Sequence, residues 1–383
     1  MLLTDLPPDT LDEIVGALKA IRGSSLFSIS LVCRAFRSPS QRRIFHLILL
    51  EPSSSLPYNP ILPPAHHVRL RDILKVNPIL ATYVKDLRCV QQDLSSAVTG
   101  RFADNEIKKP WMVDHGHLLT EILQLLDSAP IRTFALENVP GAVPLNWFSL
   151  HSALQSAFLR IFRNSNITSV YFTGLSLPQN IFSAFTANLK HITLGIFTWS
   201  PDDLLSAPHP PVFHRPSSLQ VIVSRNPDRL FDSIGAQTGL DLTDVRKLQL
   251  DICYVLPTGN LTRFISLPKL KDLLITIPRP GRGDNTNFNL SQAVCLRSLT
   301  VSSNLFSIST EEFSLIDPTL ASLPSHASLK TFTLKLIICC DSARATDVEP
   351  FQLLSKTLSC LHRRIRSIRR IIFKLNLRWL PGT

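Results

Sequence analysis

Two pairs of histidines are the first residues in this chain whose spacing could do chemistry. His66-His67 and His115-Gly116-His117 could bring imidazoles to one metal ion, yet no acid or cysteine stands at ligand spacing beside them. They are read as solvated loop histidines. Gly-x-Ser-x-Gly, Gly-x-Gly-x-x-Gly, the Walker loop, His-Glu-x-x-His and Cys-x-x-Cys are all missing. Glycine, at 13 residues, is too scarce for the clustered backbone amides that cradle phosphates. A triad assembled from scattered Ser, His and Asp is available on paper in any chain of this size. The expectation is a protein that binds without catalysing, with no metal and no cofactor.

The elements that would position a binding surface show as a six-residue pattern, apolar-x-x-apolar-x-apolar. It occurs at Val84-Leu87-Cys89, Ile131-Phe134-Leu136, Ile167-Val170-Phe172 and Leu189-Ile192-Leu194. A weak copy at Leu219-Ile222 ends on Ser224. Val245-Leu248-Leu250, Leu270-Leu273-Ile275, Leu296-Leu299-Val301, Leu329-Phe332-Leu334 and Ile368-Ile371-Phe373 complete the series. The middle spacings fall in the range of about 20–29 residues typical of leucine-rich repeats, and the outer ones are longer. Helical stripes lie between strands: Leu118, Leu119, Ile122, Leu125 and Leu126 behind a capping Asp114; Leu150, Leu154, Phe158 and Ile161; Phe351, Leu354, Leu358 and Leu361. Helix and strand in alternation predict α/β architecture, with parallel strands stacked into a solenoid. The asparagine that follows each strand of a regular leucine-rich repeat is mostly missing, so the array is expected to be irregular.

The residue after the first apolar position is basic in eight of ten copies: Lys85, Arg132, Lys190, Arg246, Lys271, Arg297, Lys330 and Arg369. Stacked parallel strands would align these into a stripe. It either solubilises the strand starts, in part balanced by Asp86 and Asp272, or forms a track for an acidic or phosphorylated partner.

The first fifty residues have a different rhythm. Leu11, Ile14, Val15, Leu18 and Ile21 make one face of a helix capped by Thr10; Ser24 or Ser25 precedes a second, with Leu26, Ile29, Val32, Cys33 and Phe36. Ser38-Pro39 reads as the start of a third. Helices this short need packing to persist, and a partner covering their apolar face would supply it. Leu6-Pro7-Pro8-Asp9, then Leu11, Ile14, Val15 and Leu18, then Leu26-Phe27-Ser28-Ile29-Ser30-Leu31-Val32-Cys33-Arg34-Ala35-Phe36, resemble the F-box across about residues 4 to 46. Asp9 stands where Glu is commoner in that motif, and Phe36 where Trp is commoner.

The resemblance implies docking to a Skp-type adaptor of a cullin-based (SCF-type) ubiquitin ligase. Leu6, Pro7, Leu11, Ile14, Val15, Leu18, Leu26, Ile29, Val32, Cys33 and Phe36 would carry the docking. The layout is similar to F-box proteins with leucine-rich arrays that are abundant in fungi. It implies an F-box module at 1–50, a proline-rich linker at 51–66 and a solenoid at 67–383. A protein target would bind along Arg132, Lys190, Arg246, Lys271, Arg297, Lys330 and Arg369. The alternative is a scaffold unrelated to ubiquitin, or a nucleic-acid-associated protein using its basic C-terminal region.

Composition agrees with a folded binding protein: 44% hydrophobic, 18% charged. Of the net charge of +11, eight units come from Lys356, Arg363, Arg364, Arg366, Arg369, Arg370, Lys374 and Arg378, with no acid after Glu349. No nucleic-acid-binding motif accompanies that charge. Met1 to Pro8 has no secretory pattern, and no apolar run approaches the ~20 residues of a membrane span. Seven cysteines without a pairing pattern fit reduced thiols in a cytoplasmic or nuclear setting. The sequons at Asn166, Asn260 and Asn289 are read as chance matches.

Overall fold

The computed structural model describes residues 6–21, 25–32, 34–52, 65–91, 110–138, 144–186, 189–196, 198–200, 213–223, 238–252, 265–277, 289–305, 316–325, 327–340 and 349–379. They fall into two compact units, residues 1–177 with 184–189 and residues 190–383 with 178–183.

The first unit opens with α1 (Pro8–Ile21), α2 (Ser25–Val32) and α3 (Arg34–Ile44). They close on a small shared core in which Leu11, Val15, Leu26 and Phe36 are buried and Leu6, Ile14, Ile29, Ala35 and Ile44 half-buried. The helix boundaries differ from the sequence reading. α1 begins at Pro8, since a proline at a helix start loses no hydrogen bond, so Thr10 lies within the first turn and does not cap it. α3 begins before Ser38 and carries Pro39 in its interior. Proline cannot donate to the Ala35 carbonyl, a fault that costs about 3 kcal/mol in a helix interior; burial of the ring works against that cost.

The chain continues through β1 (Leu47–Leu50), α4 (Ala65–Val76), a 3-10 turn at Pro78–Tyr83, β2 (Asp86–Gln91), α5 (Trp111–Asp114) and α6 (Gly116–Leu125). Then come β3 (Thr133–Asn138), β4 (Leu145–Asn146), α7 (Ser152–Phe162), β5 (Ser169–Thr173) and β6 (Leu175–Pro178). β1, β2, β3 and β5 pair in parallel, with Ile48, Leu87, Phe134 and Val170 in register. The sheet thus starts before residue 51, and Phe45-Ile48-Leu50 is a further copy of the six-residue pattern. The linker expected at 51–66 falls mostly on residues 53–64, outside the described residues, and α4 already starts at Ala65. Asp114 closes α5 and does not cap α6, whose N-cap is His115, with no capping hydrogen bond from its side chain.

The core of this unit is aromatic. Phe162 stacks on Phe185 at 4.5 Å, Phe134 meets Phe162 edge-on at 5.0 Å, and Trp147, Phe158 and Phe172 complete the group. All six rings are buried, each contributing on the order of 1.5–3 kcal/mol by leaving water. The missing asparagines have partial substitutes. Gln91 and Asn138 are register neighbours at the ends of β2 and β3, and both are buried. The Gln91 side-chain oxygen accepts from the Met112 amide at 3.3 Å, and Asn138 Nδ2 donates to the Gly174 carbonyl at 3.2 Å.

The second unit holds β7 (His191–Gly195), β8 (Thr198–Ser200), β9 (Ser218–Val223), β10 (Lys247–Ile252), β11 (Asp272–Ile277) and β12 (Ser298–Leu305). α8 (Ile316–Ala321), β13 (Thr331–Cys340), α9 (Glu349–Arg364) and β14 (Arg370–Trp379) follow. β7, β9, β10, β11, β12, β13 and β14 form successive parallel pairs. Leu219 pairs with Ile192, and Val221 with Leu194. The copy read as Leu219-Ile222-Ser224 is therefore shifted by three residues: the buried Pro216 fills its first apolar place, followed by Leu219 and Val221. The α/β layout of parallel strands with helices stands. The helices are uneven: α9 runs 16 residues, whereas the described connection before β10 has no α-helix and includes a 3-10 turn at Leu242–Asp244. Among the described residues, no helix is long and apolar enough to cross a membrane.

Candidate functional site

At the N-terminal module, burial separates the residues nominated for docking. Leu11, Val15, Leu26 and Phe36 form the interior of the module. Leu6, Ile14 and Ile29 are half-buried and Pro7 is exposed. Cys33 and the side chains of Leu18 and Val32 lie outside the described residues. Phe27, 62% exposed, and Leu31, 84% exposed, were not among the residues nominated by spacing. They stand four residues apart on one face of α2, opposite the face that buries Leu26. A helix apolar all round calls for cover on more than one side, and that signal was present in Leu26-Phe27-Ser28-Ile29-Ser30-Leu31-Val32.

An ion pair braces the module. Arg43 donates to the Asp12 carboxylate at 2.9 Å and to the Asp12 carbonyl at 2.7 Å. Gly16 leaves the space, since a Cβ there would sit 2.9 Å from the guanidinium. α3 also holds Arg42 over the Tyr83 ring at 5.9 Å, a cation–π contact with the 3-10 turn.

The basic stripe follows from the hydrogen bonding at the strand starts. In the first unit the His46 carbonyl accepts from both Lys85 and Asp86, Lys85 from Arg132 and Thr133, and Arg132 from Thr168 and Ser169. In the second unit the same forked bond joins Lys190 to Ser217, Ser217 to Arg246, Arg246 to Lys271, Lys271 to Arg297, Arg297 to Lys330 and Lys330 to Arg369. Within each unit the strand-start residues thus sit side by side at the corner where the chain enters its strand, with Thr168 after Arg132 and Ser217 between Lys190 and Arg246, and the basic side chains are exposed or half-buried. The corrected copy puts Ser217 in the row.

Three nearby acids lie against other partners. Asp241 pairs with Arg215 at 2.9 Å, Asp244 with Lys269, and Asp86 with His46 at 3.4 Å. The Thr243 hydroxyl, then its amide and Arg215, hold the Asp241 carboxyl below its ordinary range; Lys269 does the same for Asp244. Among the described residues no salt bridge reaches Lys85, Arg132, Lys190, Arg246, Lys271, Arg297, Lys330 or Arg369.

Beside the row, the polar face of the second unit's strands is preorganised by its own ladder. The Asp251 carboxylate accepts from Gln249 at 2.7 Å, Gln220 at 2.8 Å and Thr276 at 2.6 Å, tying three neighbouring strands together. Ser298, Thr300 and Ser302 on β12 and Thr331, Thr333 and Lys335 on β13 extend that face in register. Hydroxyls and basic side chains together suit an anionic polymer or an acidic protein surface.

The histidine pairs are not solvated loop residues throughout. His67 is buried on α4, stacks on Trp111 at 5.3 Å, and makes no hydrogen bond with either ring nitrogen. Burial, then the nearby His66 and His115, lower its pKa to about 3. His115 is also buried, and its pKa is lowered chiefly by burial. Among the described residues no group of three His, Cys, Asp or Glu side chains is arranged to hold a metal ion. No protein-family model matches this chain, and no curated protein matches it.

Proposed function

We propose that this chain is a substrate-recognition subunit of a cullin-based ubiquitin ligase. Its N-terminal module docks a Skp-type adaptor, and the parallel-strand array holds a protein target. The observation that carries the reading is the state of α2: Leu26 is spent on the module's core while Phe27 and Leu31 stay uncovered. Covering two such side chains contributes on the order of 1.5–3 kcal/mol each, ample to anchor a partner helix. The unpaired basic row supports a target that is acidic or phosphorylated. Chemistry on the target belongs to other subunits, and this chain acts by holding.

Adaptor capture tests the docking. Phe27→Glu/Leu31→Glu, changed on the exposed face, should abolish co-purification of a Skp-type adaptor while circular dichroism stays unchanged. Leu6→Ala/Pro7→Ala should weaken it. Adaptor capture by a chain lacking residues 1–48, at wild-type level, defeats the assignment. A second reading, nucleic-acid binding, is favoured by the same unpaired cations; a steep fall in affinity for a random duplex with rising salt would select it.

A further inference from the structure

The last strand of the second unit breaks a rule that its neighbours keep. On β12 and β13 the inward-facing pairs Leu299/Val301 and Phe332/Leu334 are fully buried. On β14 their register equivalents are Ile371 and Phe373, 38% and 43% exposed, with Leu375 beyond them at 45%. Among the described residues β14 runs ten residues, pairs with β13 on one side, and ends the strand order. The outer side of β14 therefore presents an apolar row of the kind that a further strand would cover.

A shaped groove accompanies it. Leu354, Leu358 and His362 of α9 face Ile371 and Phe373 across an open groove of about 400 Å³. The backbone invites extension as well. Each stripe carbonyl ahead of β14 receives two amides from the following turn, and Arg369, the last of the row, has no following turn among the described residues.

Charge decides the occupant. Arg363, Arg366, Arg369, Arg370 and Lys374 are exposed, and no described carboxylate pairs with them. A second copy of β14 laid on this edge would set arginine against arginine, and like charges across a strand pair are destabilising. Edge strands commonly carry cations that prevent self-association, and these cations leave the edge open to a strand of opposite sign. We propose that the outer edge of β14 is a strand-addition site for an extended peptide in which apolar and acidic residues alternate. Its apolar positions fill the groove against Ile371 and Phe373, and its acids meet Arg370 and Lys374 on the other face. This holds whatever the N-terminal module docks.

The test uses the full chain and a fluorescent peptide, Glu-Ile-Asp-Val-Glu-Phe-Asp-Leu, with a same-composition control whose acids and apolar residues are segregated into two blocks. Binding of the alternating peptide, with amide-exchange protection appearing within residues 370–379, is the expected result. Phe373→Thr, which keeps a strand-forming residue, should weaken it about tenfold or more. Arg370→Glu/Lys374→Glu, at exposed positions, should do the same. Equal binding of the block peptide, protection elsewhere in the chain, displacement by a single-stranded oligonucleotide that binds more tightly, or no binding at all would each overturn the proposal. Adaptor capture should be the same in all these variants, so the two assignments stand or fall separately.

Discussion

His67 should make the first unit acid-sensitive well above the range where carboxylates titrate. Its ring is 1% exposed, lies against Trp111, and makes no hydrogen bond that would reward a second proton. The folded-state pKa is about 3, against about 6.5 in an unfolded chain. A histidine lowered in this way binds fewer protons folded than unfolded between those two values. Stability is therefore complete above about pH 6.5 and is lost as the pH falls toward 3. Integration gives a loss of about 2 kcal/mol between pH 7 and pH 5, nearly all of it set by the unfolded-state pKa. His67→Phe keeps an aromatic ring against Trp111 and removes the titration. Urea unfolding of wild type and variant at pH 7 and pH 5, followed by tryptophan fluorescence, measures the double difference. Other groups cancel in that difference, including Glu137, whose carboxyl burial holds above its ordinary value. Wild type should lose about 2 kcal/mol more than the variant. Equal losses would refute the reasoning, as would a wild type that gains stability at pH 5.

Gly174→Ala should destabilise the same unit by about 1–3 kcal/mol, read as a shift in urea midpoint, because φ is +66° and a Cβ would lie 2.7 Å from Asn138 Cβ and 2.9 Å from its carbonyl. Arg246→Glu/Lys271→Glu/Arg297→Glu should weaken capture of an acidic partner far more than reversing three scattered surface cations; unchanged capture would make the row a solvated edge. Thiol titration of the native chain should find Cys295 and Cys360 accessible and Cys89 silent until denaturant is added, since Cys89 is fully buried and burial pushes its thiol up.

The strands were legible because their pattern encodes their geometry. Three residues from first to second apolar place, then two to the third, describe a corner followed by a strand, and the forked bonds at Lys85, Arg246 or Lys330 mark that corner. Legibility failed where another residue type filled an apolar place or another element claimed the segment. Pro216 is as buried as any leucine there, but a search for aliphatic residues passes over it and shifts the copy by three. Phe45-Ile48-Leu50 was absorbed into the helical module, although it begins the sheet. Pro39 looked like a helix start because local propensity favours that, whereas tertiary packing tolerates it inside α3. His67 looked like a loop residue because polarity alone cannot report a ring laid against Trp111. Phe27 and Leu31 were not singled out because period counting collects the buried face of a helix and discards the other, exposed one.

The stripe was legible in position and its energetics came only from the pairing around it. Read from sequence, Asp86 and Asp272 looked like partial counterions; in the folded chain Asp86 turns to His46, and Asp241 and Asp244 bind Arg215 and Lys269. Five cations in succession, Arg246, Lys271, Arg297, Lys330 and Arg369, are thus left as strand-start neighbours. Adjacent strands lie about 4.8 Å apart, inside the ~8 Å screening length of physiological salt. At about 6 Å in water-like dielectric each neighbouring pair repels by about 0.7 kcal/mol, so the four pairs store up to ~3 kcal/mol before side chains splay apart. An acidic ligand along the row would release that repulsion on binding, and the ladder around Asp251 already fixes the neighbouring face on which it would rest.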